Sequence, residues 1–281
     1  MPEELTRKEA IEYCSVDPKA FDNYIIFSRE ITGFKRKRRW YFTKEELDRW
    51  KENRDKRIVI LTLEEYEKCF EFAIKMVYGG SSLHGMRGQR TEVQAADNWI
   101  SGILVEHALK KFLKEKFDFE IMLDEEVHPG EITAQDIIGV IEEGKQRVPK
   151  KFVGVKGSKW KNCFLIADEH GISGRSADIY VFGRIGLPSD HLFRILREHS
   201  FFKRVKDFLE KHENFRKIGK LNVVPIWLCR YVQAEDLNCV TEIPGQDFGE
   251  DKDRNKIRKY VKNVADMKNS DEDWSEFIQK L

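Results

Sequence analysis

The stretch Asp136–Lys156, DIIGVIEEGKQRVPKKFVGVK, decides how the chain is read. Ile137–Ile141 is an apolar run of strand length, Glu142–Lys150 is a charged turn, and a second apolar run in KKFVGVK ends on Lys156. An ammonium at the end of an apolar run is costly to bury. Either its long stem snorkels to solvent, or its charge is wanted at the rim of a site. If the two runs are neighbouring strands, the Asp136 carboxylate and the Lys156 ammonium meet at one edge of a sheet. A carboxylate there suits Mg2+, which takes oxygen ligands and keeps several waters. An adjacent ammonium can orient a water and stabilise charge on a phosphate, so the pair fits phosphodiester hydrolysis. Each residue also has a plain structural reading: Asp136 as a strand or turn cap, Lys156 as a strand-end surface lysine.

Working outward, Val93–Phe117 has Trp99, Ile103, Leu104, Ala108, Leu109 and Phe112 at core spacing and predicts a long helix. Gly102 and Glu106 lie in it, Glu106 on an otherwise apolar face; its structural alternative is an i, i+4 pair with Lys110. FEIMLDEEV, AQDIIGVIEEG, KKFVGVKGS, NCFLIADE and ADIYVFGRI are short β-rich segments bounded by Gly, Pro or charge. Helix follows over 189–212, with Ser189 as the expected cap. KLNVVPIWLCRYV is one more strand, in which Pro225 predicts an edge or a bulge. The charged tail from Asp251 is expected to form a surface helix. The fold class is α+β, a central mixed sheet flanked by helices.

At the other end, Thr6 and Glu9 have capping-box spacing, Asp17-Pro18 starts a second helix, and Thr43 caps a third. Between the last two lie five consecutive basic residues, Lys35, Arg36, Lys37, Arg38 and Arg39, bounded by Gly33-Phe34 and Trp40-Tyr41-Phe42. A basic hairpin with aromatic anchors suits phosphate neutralisation on a nucleic acid; alone, it could equally be a solvated loop or an RNA contact. A junction is expected at 51–57, giving segments 1–57 and 58–281. The glycine-rich stretch 79–90 is expected to be a flexible loop, with Arg87 and Arg90 either becoming ordered on DNA or lying in a plain disordered surface loop.

With 281 residues, 41% hydrophobic, the chain can bury a sizeable core, and its net charge of +1 confines any nucleic-acid footprint to a local patch. Five scattered cysteines without CxxC spacing argue against a disulfide framework or a cysteine-built zinc site. A cytoplasmic setting is expected, with no membrane span and no signal peptide. The sequence carries no GxxxxGK[ST] loop, no HExxH and no GxSxG in its required context.

The segment LTRKEAIEYCSVDPKAFDNYIIFSREITGFKRKRRWYFTKEELDRW resembles the winged helix-turn-helix of the MerR/excisionase type over about fifty residues. That resemblance implies a helix at Pro18–Ser28 in a DNA major groove, with Lys19, Asn23 and Arg29 as its polar contacts, and a Lys35–Arg39 wing along the backbone. Residues 100–185 resemble the PD-(D/E)xK nuclease superfamily. The acid opening a strand is Asp136, the lysine is Lys156, and SGILVEHALKKFL supplies a helix with Gly102 and Glu106. The chain departs from that pattern at Gly154, where the second acid belongs; Glu106 is the first choice to replace it, before Asp168, Glu169 or Asp178. The resemblance implies a Mg2+-dependent, site-specific double-strand DNA endonuclease like type II restriction enzymes. Asp136, Glu106 and the Val155 carbonyl would hold metal, Lys156 would position the nucleophile, and a homodimer would cut both strands. The alternatives are a DNA-binding regulator or recombination accessory protein whose C-terminal part oligomerises or senses an effector, and an RNA-processing nuclease.

Overall fold

Thr6 and Glu9 form the expected capping box: Glu9 N–H donates to Thr6 Oγ1, and Thr6 N–H donates to Glu9 Oε2 at 2.8 Å. Strand β1 (Glu4–Thr6) ends there and α1 (Arg7–Cys14) begins. Asp17 caps α2 (Pro18–Ile26) by accepting from Lys19 N–H at 2.9 Å and Ala20 N–H at 3.1 Å. Strands β2 (Phe34–Arg36) and β3 (Arg39–Thr43) form the basic hairpin, and Thr43 caps α3 (Lys44–Asp55). β3 lies between β1 and β2 in a three-stranded antiparallel sheet.

The computed structural model describes residues 3–78, 92–126, 136–168, 177–197, 200–211, 217–251 and 253–281. Arg87, Arg90 and Glu169 lie outside the described residues. After α3 come β4 (Ile58–Thr62), α4 (Leu63–Tyr78), α5 (Glu92–Phe117), β5 (Glu120–Leu123), β6 (Ile137–Glu142), β7 (Lys145–Arg147), β8 (Val153–Lys159), β9 (Phe164–Asp168) and β10 (Ile179–Ile185). Then follow α6 (His191–Leu196), α7 (Ser200–Lys211), β11 (Val223–Gln233), β12 (Asn238–Val240), β13 (Glu242–Ile243), β14 (Gln246–Asp247), β15 (Lys259–Asn263) and α8 (Asp271–Lys280).

The fold is mixed α+β around a four-stranded sheet of order β4-β11-β10-β8, antiparallel except for the parallel β10–β8 pair. All seven residues of β10 are buried, as expected of a strand covered on both faces. Ile179 and Val181 pack toward α5, whereas Tyr180 and Phe182 pack on the opposite side against β9, β11 and the N-terminal helices. Gly157 and Gly183 let α5 settle directly on the sheet: a Cβ on Gly157 would stand 2.1 Å from the Ser101 carbonyl oxygen, and one on Gly183 2.4 Å from Val105. One turn before Ser101 on the same helix, Asp97 reaches buried His191 at 3.0 Å, and His191 also meets the Tyr66 hydroxyl at 2.6 Å, which joins α4, α5 and α6.

Residues of both segments expected from the sequence contribute to one core cluster. Phe21, Tyr24, Leu47 and Trp50 share it with Tyr180, Phe182, Trp227 and Cys229. Trp50 and Trp227 meet edge-on at 5.9 Å, and Leu228 N–H donates to the Arg57 carbonyl at 3.0 Å.

Four expectations change. The charged turn 142–150 is itself a hairpin: Glu143 and Gly144 have φ of 51° and 75°, the two-residue turn that joins β6 to β7. β6 therefore pairs with β5 and β7 and not with β8. Pro225 sits on inner strand β11, whose one-residue register shift against β10 falls at Cys229 and not at the proline; opposite Pro225, just past the end of β10, Gly186 N–H donates to the Pro225 carbonyl at 2.9 Å. Asp190, not Ser189, is the N-cap of α6 and makes no side-chain cap. The tail is no surface helix alone: it supplies β15 and then α8, whose Trp274 and Phe277 are fully buried with Leu281. Their i, i+3, i+7 spacing lies within an acidic run that masks it in composition.

Candidate active site

β8 is the end strand of its sheet, and its free edge is met by one residue of the next sheet. Asp136, just before β6, donates its N–H to the Val153 carbonyl at 3.3 Å and accepts the Val155 N–H on Oδ2 at 2.5 Å. In an extended strand the N–H and C=O of one residue point to the same side, so the Val155 carbonyl faces this edge too. The acid and the lysine-bearing strand are thus brought together, through a docked residue in place of the expected hairpin.

Glu106 arrives from above. α5 lies close on β8 because Gly157 has no side chain, and Glu106 Oε1 stands 3.9 Å from where a Cβ on Gly102 would be. Burial pushes the Glu106 carboxyl well above the usual carboxylate range; the Asp136 and Asp124 charges push it further, and Lys156 pulls it back. Asp136 is also raised, by burial first, against the opposing pull of Lys156 and the Val155 N–H. Glu106, Asp136, Asp124 and Lys156 are each half-buried and feel one another's charge. The Lys156 ammonium lies 6.0 Å from the centre of the Tyr180 ring. Lys110, the alternative partner for Glu106, is paired instead with Glu125 at 3.6 Å.

Asp124, just after β5, is the member that the sequence reading missed. It opens an Asp-Glu-Glu run in which nothing in the spacing singles out one acid. The other replacements for the absent second acid stand differently. Asp178 accepts the Phe152 N–H at 2.8 Å and pairs with Lys151 at 3.6 Å, fastening the starts of β8 and β10. Asp168 ends β9, opposite Lys259 of β15. Gly154 and Lys156 share the face of β8 that looks toward Tyr180, opposite the Val153–Val155 face on which α5 lies: a Cβ on Gly154 would lie 3.0 Å from the Tyr180 ring and 3.1 Å from Ala177.

Two carboxyl groups held partly buried, each with raised proton affinity and one lysine to share, form a set that a divalent cation would relieve. Among the described residues, however, no three His, Cys, Asp or Glu side chains stand together as a ready cage. Mg2+ is characteristically held by one or two carboxylates plus waters and substrate phosphate, so an open two-carboxylate site fits it, and a dedicated all-protein cage is not required.

The basic hairpin is the other candidate surface. Lys35–Arg39 are all exposed. Lys35 Nζ lies 4.8 Å over the Trp40 ring, and Arg36 Cζ lies 5.5 Å from both the Phe34 and Tyr41 rings and pairs with Glu4. Lys19 and Arg29 are exposed, whereas Asn23 donates its amide to the Lys161 carbonyl at 2.8 Å. No helix among the described residues is long and apolar enough to cross a membrane. Compared with known proteins, the chain matches no family model, no curated protein and no solved structure.

Proposed function

We propose that the chain is a Mg2+-dependent double-strand DNA endonuclease of the PD-(D/E)xK kind, carrying a winged helix-turn-helix at its N-terminus. What supports this reading is that Asp136 docks on the free edge of β8 through the Val155 N–H, with Glu106 on the α5 face of that strand and Lys156 on the other, both within electrostatic reach of Asp136. Asp136 and Glu106 would hold the metal, with the Val155 carbonyl on the same edge and Asp124 adding to the local negative charge. A bound Mg2+ would neutralise phosphate charge and lower the proton affinity of a coordinated water. Lys156 would position an attacking water in line with the scissile P–O bond, whose leaving oxygen takes a proton from solvent, and would donate to a phosphate oxygen as charge develops. The Val155 N–H fixes the Asp136 carboxylate, so little reorganisation is needed at the moment of reaction. Cutting both strands requires two such sites, so the working form is a homodimer.

The test is incubation of the purified protein with plasmid DNA in Mg2+, and again in EDTA. Discrete fragments that vanish with EDTA and with Lys156→Ala support the reading. Cleavage by Lys156→Ala at the wild-type rate would remove Lys156 from the site. A second reading, a non-catalytic DNA-binding regulator, is favoured by Gly154, whose packing against Tyr180 leaves the usual second acid without a place. Mobility shifts without cleavage in any divalent metal would select it.

A further inference from the structure

Helix α2 carries two faces, and both are spoken for. On its inner side Ala20, Phe21, Tyr24 and Ile25 are buried. Phe21 packs edge-on to Phe42 at 5.2 Å, and Tyr24 meets Trp227 of β11 at 6.0 Å. The Tyr24 hydroxyl donates to the Trp160 carbonyl, and Asn263 donates to the Phe27 carbonyl at 2.8 Å. Just beyond the helix, Glu30 receives Arg184 of β10 through two hydrogen bonds of 2.7 and 3.2 Å, with side-chain exposures of 2% and 0%. The Arg184 guanidinium also donates to the Asn162 carbonyl at 2.6 Å and lies between the Tyr24 and Trp227 rings, at 4.5 and 4.6 Å.

The outward stripe of α2 is Lys19, Asp22, Asn23 and Ile26. Asp22 is held by Arg7 at 2.7 Å, Asn23 by the Lys161 carbonyl, and Ile26 is 56% exposed. Base edges in the major groove are read by bidentate arginines, asparagines or glutamines. Here the one amide is occupied, the one carboxylate is neutralised by Arg7, the one ammonium is a point charge without a bidentate fork, and Arg29 lies exposed beyond the end of the helix.

The hairpin tip has the opposite character. Arg36 and Arg39 pair across it, so Lys37 and Arg38 are the two central residues of the turn, with φ of 48° and 67°. Both lie in the left-handed region, which two-residue hairpins ordinarily fill with Asn-Gly or Asp-Gly. A side chain with a Cβ is strained there, because its Cβ crowds the following carbonyl oxygen. Among the described residues no carboxylate pairs with Lys37, Arg38 or Arg39. Strain kept at an exposed, unneutralised, doubly basic tip points to a use for those charges.

We infer that α2 is a docking helix that fastens the N-terminal elements to the sheet, and that the Lys37-Arg38 hairpin tip is their DNA-facing surface. It grips duplex phosphates without regard to sequence. This rests on the DNA-directed reading above and departs from it by taking base readout away from α2; whatever target choice the protein makes lies elsewhere in the chain.

The test uses the full chain in EDTA, so that binding is measured apart from cleavage, on equal-length duplexes of unrelated sequence over a range of salt. The double variant Lys37→Asn/Arg38→Gly keeps the turn type and removes two charges. Its expected behaviour is a higher Tm, an affinity lower by tenfold or more at about 0.1 M salt for every duplex alike, and a salt slope reduced by about 1.8. Lys19→Ala should leave affinity within about twofold and the ranking of duplexes unchanged, because one peripheral phosphate contact is the most it could remove. A double variant that binds as wild type overturns the inference. So does a Lys19→Ala or Asn23→Ala variant that folds normally yet reorders the duplexes. Binding through the tip without cleavage in Mg2+ would sink the nuclease reading alone; cleavage indifferent to the tip charges would sink this inference alone.

Discussion

At the residue scale, Glu106 shows how much a single position can carry. Its apolar helix face and its place beside Gly102 made it legible in the sequence, as did Asp136 at the start of an apolar run and Lys156 at the end of one. Asp124 was not legible, since one acid among three successive ones has no pattern to mark it. The raised Glu106 pKa gives a signed prediction. Folding favours its neutral form, so the group stabilises the fold below the unfolded carboxylate value, near pH 4.3, and that contribution is lost as pH rises through the folded value. Glu106→Gln should therefore abolish cleavage and raise the metal-free Tm at pH 8 by a few degrees, on the order of 2–4 °C per kcal/mol. At pH 4 the two Tm values should coincide. Thermal melts of both proteins at the two pH values check this, and a variant that is less stable at pH 8 would contradict the cluster. Adding Mg2+ should raise the wild-type Tm at pH 8 and leave the variant nearly unmoved.

At the scale of elements, the seating of α5 on β8 and β10 sets the site. Gly157→Ala would drive a methyl into the Ser101 backbone, which cannot rotate away, so the helix must shift. Overpacking of this kind costs roughly 1–3 kcal/mol, and the displaced Glu106 should lower cleavage more than tenfold while the protein stays folded, measurable by denaturant titration beside an activity assay. Gly154 makes the contrary case. Gly154→Glu restores the acid of the family pattern on paper, but its side chain would start against Tyr180 and Ala177. It should reduce stability and give no gain in cleavage; a gain would show that the second acid has simply been lost. The strands and helices themselves were mostly readable from period and caps. What escaped were tertiary choices: which strand pairs with β8, where Pro225 meets the end of a ladder, and how Trp274 and Phe277 turn an acidic tail inward.

For the whole molecule, the N-terminal segment and the sheet are joined through one core cluster, and the buried Glu30–Arg184 pair lies at their contact. Breaking one side of such a pair strands a buried charge and costs about 3–5 kcal/mol, whereas replacing both by apolar residues of similar size is often close to neutral. Arg184→Met alone should lower the midpoint of unfolding sharply, and the Glu30→Met/Arg184→Met pair should recover most of the loss. Additive losses in that cycle would mean that the two charges do not depend on each other. No sequence pattern announces this contact, because Glu30 and Arg184 are 154 positions apart and each reads as an ordinary surface charge. The same contact bears on engineering. A head piece borrowed from another protein would arrive without the carboxylate that Arg184 requires and without a tyrosine to stack on it, leaving a naked guanidinium in a dry seam. Any substitute for the N-terminal elements must therefore bring a carboxylate to the place of Glu30 and an aromatic ring to the place of Tyr24.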